Sequence, residues 1–91
     1  MLPIFWSASA LDDLDEITDY IWERNPAAAE RMHALLEASV LPIAEHPYLY
    51  RSGRVAGTRE IVAHPNYIVV YRVAADYVEI VNVVHSRREY P

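Results

Sequence analysis

Apolar residues recur at two different periods along this chain, and the change near residue 58 separates a helical half from a β half. Leu11, Leu14, Ile17 or Thr18, and Ile21 repeat at three- and four-residue spacing, while Asp12, Asp15, Asp19 and Glu23 decorate the other faces. That pattern predicts an amphipathic helix of about four turns. Ser7 or Ser9 can cap it, and from Ser9 the third position is Asp12, an acid near the positive helix end. Asn25-Pro26 then serves as stop and restart, with Asn25 as N-cap and Pro26 at the first helical position, where its missing N–H costs nothing. Ala28, Met32, Leu35, Leu36, Val40 and Ile43 form the stripe of a second helix running toward Glu45, before His46-Pro47 ends it. Pro42 interrupts this stripe, and because proline removes a donor and clashes with the preceding turn, a kink or an early end is expected near Leu41. The short link makes the two helices antiparallel neighbours.

Residues 2 to 6 read as a short strand, with Pro3 suited to a strand start or edge. Residues 47 to 57 read as a loop that holds both glycines, Gly53 and Gly57, together with Tyr48, Tyr50, Arg51 and Arg54. From Thr58 the period is two: Arg59, Ile61 and Ala63 alternate with Glu60, Val62 and His64, and Pro65-Asn66 marks a turn. Residues 67 to 73 and 78 to 84 are β-branched and aromatic, joined by the hairpin-length link Ala74-Ala75-Asp76-Tyr77. Their apolar residues are too continuous for a sheet with one face wholly in water, so part of the second face is expected to be covered as well. The order βααβββ gives an α+β fold, a helical hairpin on a twisted, mostly antiparallel sheet. A chain of 91 residues has room for one modest core, so residues 1 to 91 are expected to form a single domain.

Composition narrows the chemistry. With no cysteine, disulfides and thiolate metal sites are excluded, and His33, His46, His64 and His85 show no metal-ligand spacing. The acids of the first helix read as a solvated face, and Trp6 and Trp22 as core or helix-edge packing. No metal and no cofactor is expected. Met1-Leu2-Pro3-Ile4-Phe5-Trp6 is shorter than a signal h-region and no run approaches a membrane span, so a cytoplasmic protein without membrane contact is expected. Net charge is −5, but residues 1 to 50 carry −7 and residues 51 to 91 carry +2. The acidic total argues against a protein that coats nucleic acid non-specifically, yet leaves a local basic patch in the β half, all of it arginine.

The order of elements, together with Asn25-Pro26-Ala27-Ala28-Ala29, Gly57-Thr58-Arg59-Glu60, Tyr67-Ile68-Val69-Val70-Tyr71-Arg72-Val73 and Val84-His85 followed by Arg87-Arg88-Glu89-Tyr90-Pro91, resembles the ParE/RelE superfamily of bacterial type II toxins over essentially the whole chain. The resemblance implies a small cytosolic growth inhibitor, neutralised by an antitoxin encoded beside it, ParD-like or related, with operator DNA bound only through that antitoxin. The RelE-like branch cleaves messenger RNA in the ribosomal A site; the ParE-like branch poisons DNA gyrase. For the ribonuclease branch the resemblance implies Arg59, His85, Arg88 and Tyr90 as catalytic candidates: cations to activate the ribose 2′-hydroxyl and stabilise phosphorane charge, and an aromatic for stacking or proton transfer. The chain has no lysine, however, and Ile68 stands where ribonuclease relatives often carry arginine. The Val69 to Val73 strand and the His85 to Pro91 ending look more like ParE-type members. The expectation is therefore a gyrase poison without chemistry of its own, with a ribosome-dependent messenger RNA endoribonuclease as the alternative and a non-toxic degenerate member as a third. Arg51, Arg54, Arg59, Arg72, Arg87, Arg88 and Tyr90 are the expected contacts with target or antitoxin.

Overall fold

The computed structural model describes residues 1–87, in the order β1 (Ile4–Trp6), α1 (Ala8–Trp22), α2 (Pro26–Ser39), a 3-10 turn (Leu41–Ala44), β2 (Arg51–Ser52), β3 (Arg59–His64), β4 (Tyr67–Val73) and β5 (Val78–His85). Of the two serines that could cap α1, Ser7 does so: its Oγ accepts from the Ala10 N–H at 3.0 Å and donates to the Val81 carbonyl at 2.9 Å. One hydroxyl thus starts the helix and ties that start to β5. Asn25 caps α2 through Oδ1, which accepts from the Ala28 N–H at 3.1 Å, with Pro26 at the first helical position. The α2 helix ends at Ser39 and the chain tightens into the 3-10 turn that contains Pro42, the early end that a proline without an N–H imposes.

The sheet order is β1-β5-β4-β3-β2. All neighbours are antiparallel except β1 and β5, which run parallel with Ile4 opposite Val78 and Trp6 opposite Ile80. β2 is absent from the sequence expectation. Its two residues pair with Arg59 and Glu60 inside the segment read as loop, and two residues are too few to display a period. The turn back into β3 depends on glycine at both ends. Gly57 has φ +83°, and a Cβ on Gly53 would collide with the Thr58 hydroxyl.

The core lies between the helices and one face of the sheet. Ala10 and Leu14 of α1, Leu36 of α2, Val40 and Ile43 pack on Ile61, Val69, Tyr71, Val78, Ile80 and Val83, with Trp6 against the margin. On the opposite face Ile68 and Val70 are buried too, as the continuous apolar run implied. Leu11 and Leu35, placed on the helical stripes by spacing, are exposed, and Trp22 is half exposed at the end of α1. Among the described residues no helix is long and apolar enough to cross a membrane.

Candidate functional site

The candidate residues fall at two ends of the sheet. At the first end, β2 and β3 carry Arg51, Arg59 and Glu60. Arg59 stands opposite Tyr71 in the β3–β4 ladder. Its Nη1 donates to the Tyr50 carbonyl at 2.7 Å and to the Tyr48 carbonyl at 3.4 Å, and the guanidinium lies 4.9 Å from the centre of the Tyr48 ring. This cation therefore fastens the loop that follows the 3-10 turn. Arg51 donates through Nε and Nη2 to Oε1 of Glu60, each at 3.0 Å, and the Arg54 N–H donates to Glu60 Oε2 at 3.3 Å. Glu60 is only 5 % exposed, so the carboxylate acts as an internal latch for the segment carrying Arg51 and Arg54.

Tyr71 completes this end. Its fully buried side chain donates a hydrogen bond of 2.6 Å from the hydroxyl to the Pro47 carbonyl, and its ring meets Tyr50 edge-on at 6.5 Å. Burial pushes the Tyr71 hydroxyl pKa above the usual 10.0, with the Arg59 charge pulling partly the other way. A pKa raised by folding means the folded protein holds the proton more tightly than the unfolded chain. That contribution is fully present below pH 10 and is lost as pH rises through the folded value. Tyr71→Phe is accordingly expected to cost about 1 to 1.5 kcal/mol at neutral pH, from the orphaned Pro47 carbonyl. It is also expected to flatten part of the alkaline stability loss, read from denaturant midpoints taken across pH 8 to 11. Part of that loss remains, because burial raises the Tyr67 hydroxyl in the same sense, with Tyr20 adding to it.

At the second end, a cleft of about 520 Å³ opens between α1 and the sheet, lined by Asp13, Glu16, Ile17, Tyr20, Asn66, Tyr67, Val83 and His85. His85 stands opposite Tyr67 in the β4–β5 ladder, and the two rings meet edge-on at 5.5 Å. His85 Nδ1 accepts from the Arg87 N–H at 3.2 Å, which leaves Nε2 to carry the proton in the neutral ring. Asp13 Oδ2 accepts from Asn82 Nδ2 and from the Val83 N–H, both at 2.9 Å. Beyond Trp6, where β1 stops covering β5, Ser7 and Asp13 satisfy the edge of β5 in place of a further strand residue.

Arg59 and His85 are thus four residues apart along β4, at Tyr71 and Tyr67 respectively, a span of about 13 Å. Arg72 is half exposed and faces Glu79 at 3.7 Å. Arg87 is exposed in the turn after β5. Arg88 and Tyr90 lie outside the described residues. Among the described residues no group of histidine and carboxylate side chains is arranged to hold a metal ion.

The family model for the ParE toxin of the type II toxin-antitoxin system, parDE, matches residues 4–90. The chain belongs to the ParE toxin family. The toxin RelE2 of Caulobacter vibrioides is 39 % identical over 90 residues, 97 % of this chain and 99 % of that one. Y4kP of Sinorhizobium fredii is 43 % identical over 89 residues, 97 % of this chain and 92 % of the relative. Among solved structures, the chromosomal ParDE system of P. aeruginosa superposes with a TM-score of 0.85 over 93 % of this chain and 96 % of that one, at 21 % identity, a likeness of fold alone. A relative named RelE and a model named ParE both match almost end to end, so names do not separate the two branches of the superfamily.

Two features of this ParE-family toxin escaped the sequence reading. The latch role of Glu60 depends on a long-range pairing with Arg51 that no local pattern announces. The cleft did leave a trace: Asp13, Glu16 and Tyr20 repeat at three- and four-residue spacing along one side of α1, beside the Leu14 stripe.

Proposed function

We propose that this toxin arrests growth by binding DNA gyrase and stabilising cleaved DNA, performs no covalent chemistry of its own, and is neutralised in the cytoplasm by a cognate ParD-like antitoxin. One observation carries the choice of target. Arg59 is engaged with the Tyr48 and Tyr50 carbonyls and stands a strand's length from His85, so among the described residues this cation and this histidine are not gathered on one phosphate as an RNA-cleaving site would need. In a contact role the same arginines serve without convergence. Arg51, Arg54 and Arg59 would present charge from one end of the sheet, Arg72 from β4, and Arg87 and Arg88 from the chain's end, with Tyr90 adding an aromatic contact. Operator DNA would be reached only through the antitoxin, in keeping with the acidic total of −5.

The test is a supercoiling and DNA-cleavage assay with purified gyrase and folded, growth-arresting toxin, run beside ribosome-programmed RNA cleavage. Lost supercoiling with trapped cleaved DNA and intact message is the expected result. Normal gyrase activity with new 5′ ends on message would replace this reading with the endoribonuclease, for which the His85 and Tyr67 pair beside Glu16 is the favourable feature.

A further inference from the structure

The cleft at the Tyr67 end of the sheet is unlike the rest of the toxin's candidate surface. Among the described residues Asp13 and Glu16 supply it with carboxylates, Tyr20 and Tyr67 supply phenols, and His85 and Asn66 complete the rim. Among the described residues no arginine lines it. Asp13 is held in place by Asn82 and the Val83 N–H, whereas Glu16, one turn further on, makes no hydrogen bond or ion pair among the described residues. The walls are aromatic and the remaining lining, Ile17 and Val83, is apolar. A group that satisfied all of these at once would carry a positive charge on an aliphatic stem. The stem would lie along Ile17 and Val83, and the charge would meet the carboxylates and the ring faces. Tyr20 displays the affinity within the chain itself, since the Arg24 guanidinium lies 4.1 Å from its ring centre.

We propose that this cleft receives an arginine or lysine side chain of the antitoxin. The proposal rests on the antitoxin reading above, and charge selects the occupant. A target engaged on DNA is best met by the basic half of the toxin, residues 51 to 91 at +2. The acidic half at −7, which contains α1, is left for a partner that brings cations and no phosphates. The antitoxin then holds the toxin by opposite signs at the two ends of the sheet, acids toward Arg51 and Arg59 and a base into the cleft. Such two-signed pairing rejects partners that match one end only.

The test measures binding of the full-length antitoxin encoded beside the toxin to wild-type toxin, Glu16→Arg and Glu30→Arg by calorimetry. Glu16 and Glu30 are both exposed helix residues, and Glu30 lies outside the cleft, so it controls for the change in total charge. Glu16→Arg is expected to weaken binding by about 30-fold or more, and Glu30→Arg by no more than about twofold. One antitoxin arginine or lysine, changed to glutamate, is expected to restore binding to Glu16→Arg and to no other variant. Equal losses for the two toxin variants would overturn the proposal. Full antitoxin affinity in Glu16→Arg with lost gyrase inhibition would overturn it too, by assigning the cleft to the target. Failure of wild-type toxin to bind that antitoxin would instead remove the antitoxin reading itself, and the inference with it. The wild-type control therefore tells the two failures apart.

Discussion

Arg51→Ala is expected to destabilise the toxin by about 2 to 3 kcal/mol, a drop in melting temperature of roughly 10 to 20 °C for a domain of this size. The loss far exceeds what an exposed ion pair contributes, about 0 to 1 kcal/mol. The reason is the asymmetry of the pair. Arg51 is 59 % exposed and would lose little by itself, but its partner Glu60 is 5 % exposed. Without the guanidinium, that carboxylate loses both of its 3.0 Å contacts, and the Arg54 N–H at 3.3 Å is a longer bond. Its desolvation is then no longer offset. The measurement is a double-mutant cycle by thermal or urea unfolding. Arg51→Met combined with Glu60→Leu is expected to recover at least about half of the single-variant loss, because removing both partners leaves no orphaned charge. A double variant as unstable as the sum of the two singles would mean that the pair is not coupled and that the latch does not exist.

The latch also bears on function. Among the described residues the two-residue strand β2 pairs with β3 alone, and Glu60 holds it from the side-chain direction while Arg51 and Ser52 pair with Glu60 and Arg59 along the backbone. If this end frays, Arg51, Arg54 and Arg59 are no longer presented together. On the gyrase reading, Arg51→Ala loses inhibition through disorder of the loop as well as through loss of one cation.

How far these features were legible depends on the range of the interactions that make them. The helix starts at Ser7 and Asn25, the interruption at Pro42 and the strands of the β half all follow from side chains acting on their own backbone, and they could be read locally. Three things could not. The parallel pairing of β1 with β5 joins residues about seventy positions apart and leaves no period. Arg59 looks like an available cation until the Tyr48 and Tyr50 carbonyls are brought to it by the turn after α2. Asp13 and Glu16 read as part of a solvated acidic face; Glu16 is exposed, and only the position of α1 over the end of β5 gives Asp13 its partners there and sets Glu16 at the edge of a cleft. The α+β architecture was thus in the sequence, whereas the grouping of the candidate residues came from tertiary contacts. Those contacts divided Arg59 from His85.

The same distinction between spacing and burial sets the second large expectation. Leu35 and Leu36 are adjacent on α2, and both fit a helical stripe, since apolar residues at three- and four-residue spacing define a face wide enough to include either. The core admits one of them. Leu36 is 0 % exposed against the sheet, while Leu35 is 40 % exposed. Leu36→Ala is expected to cost about 3 to 4 kcal/mol, the transfer of the lost methyl groups plus the cavity left where α2 meets the sheet. Leu35→Ala is expected to cost about 1 kcal/mol, since Leu35 is 40 % exposed and its truncation leaves no enclosed cavity. Against a total of roughly 5 to 14 kcal/mol for a chain of this length, the first substitution removes a large share of stability and the second a small one. Urea unfolding of the two variants checks the pair, and growth arrest on induction gives a second readout, as Leu36→Ala should also lower the level of folded toxin in cells. Equal losses from the two would place the buried face of α2 midway between them, about 50° from the orientation described here, because consecutive helical residues differ by about 100°.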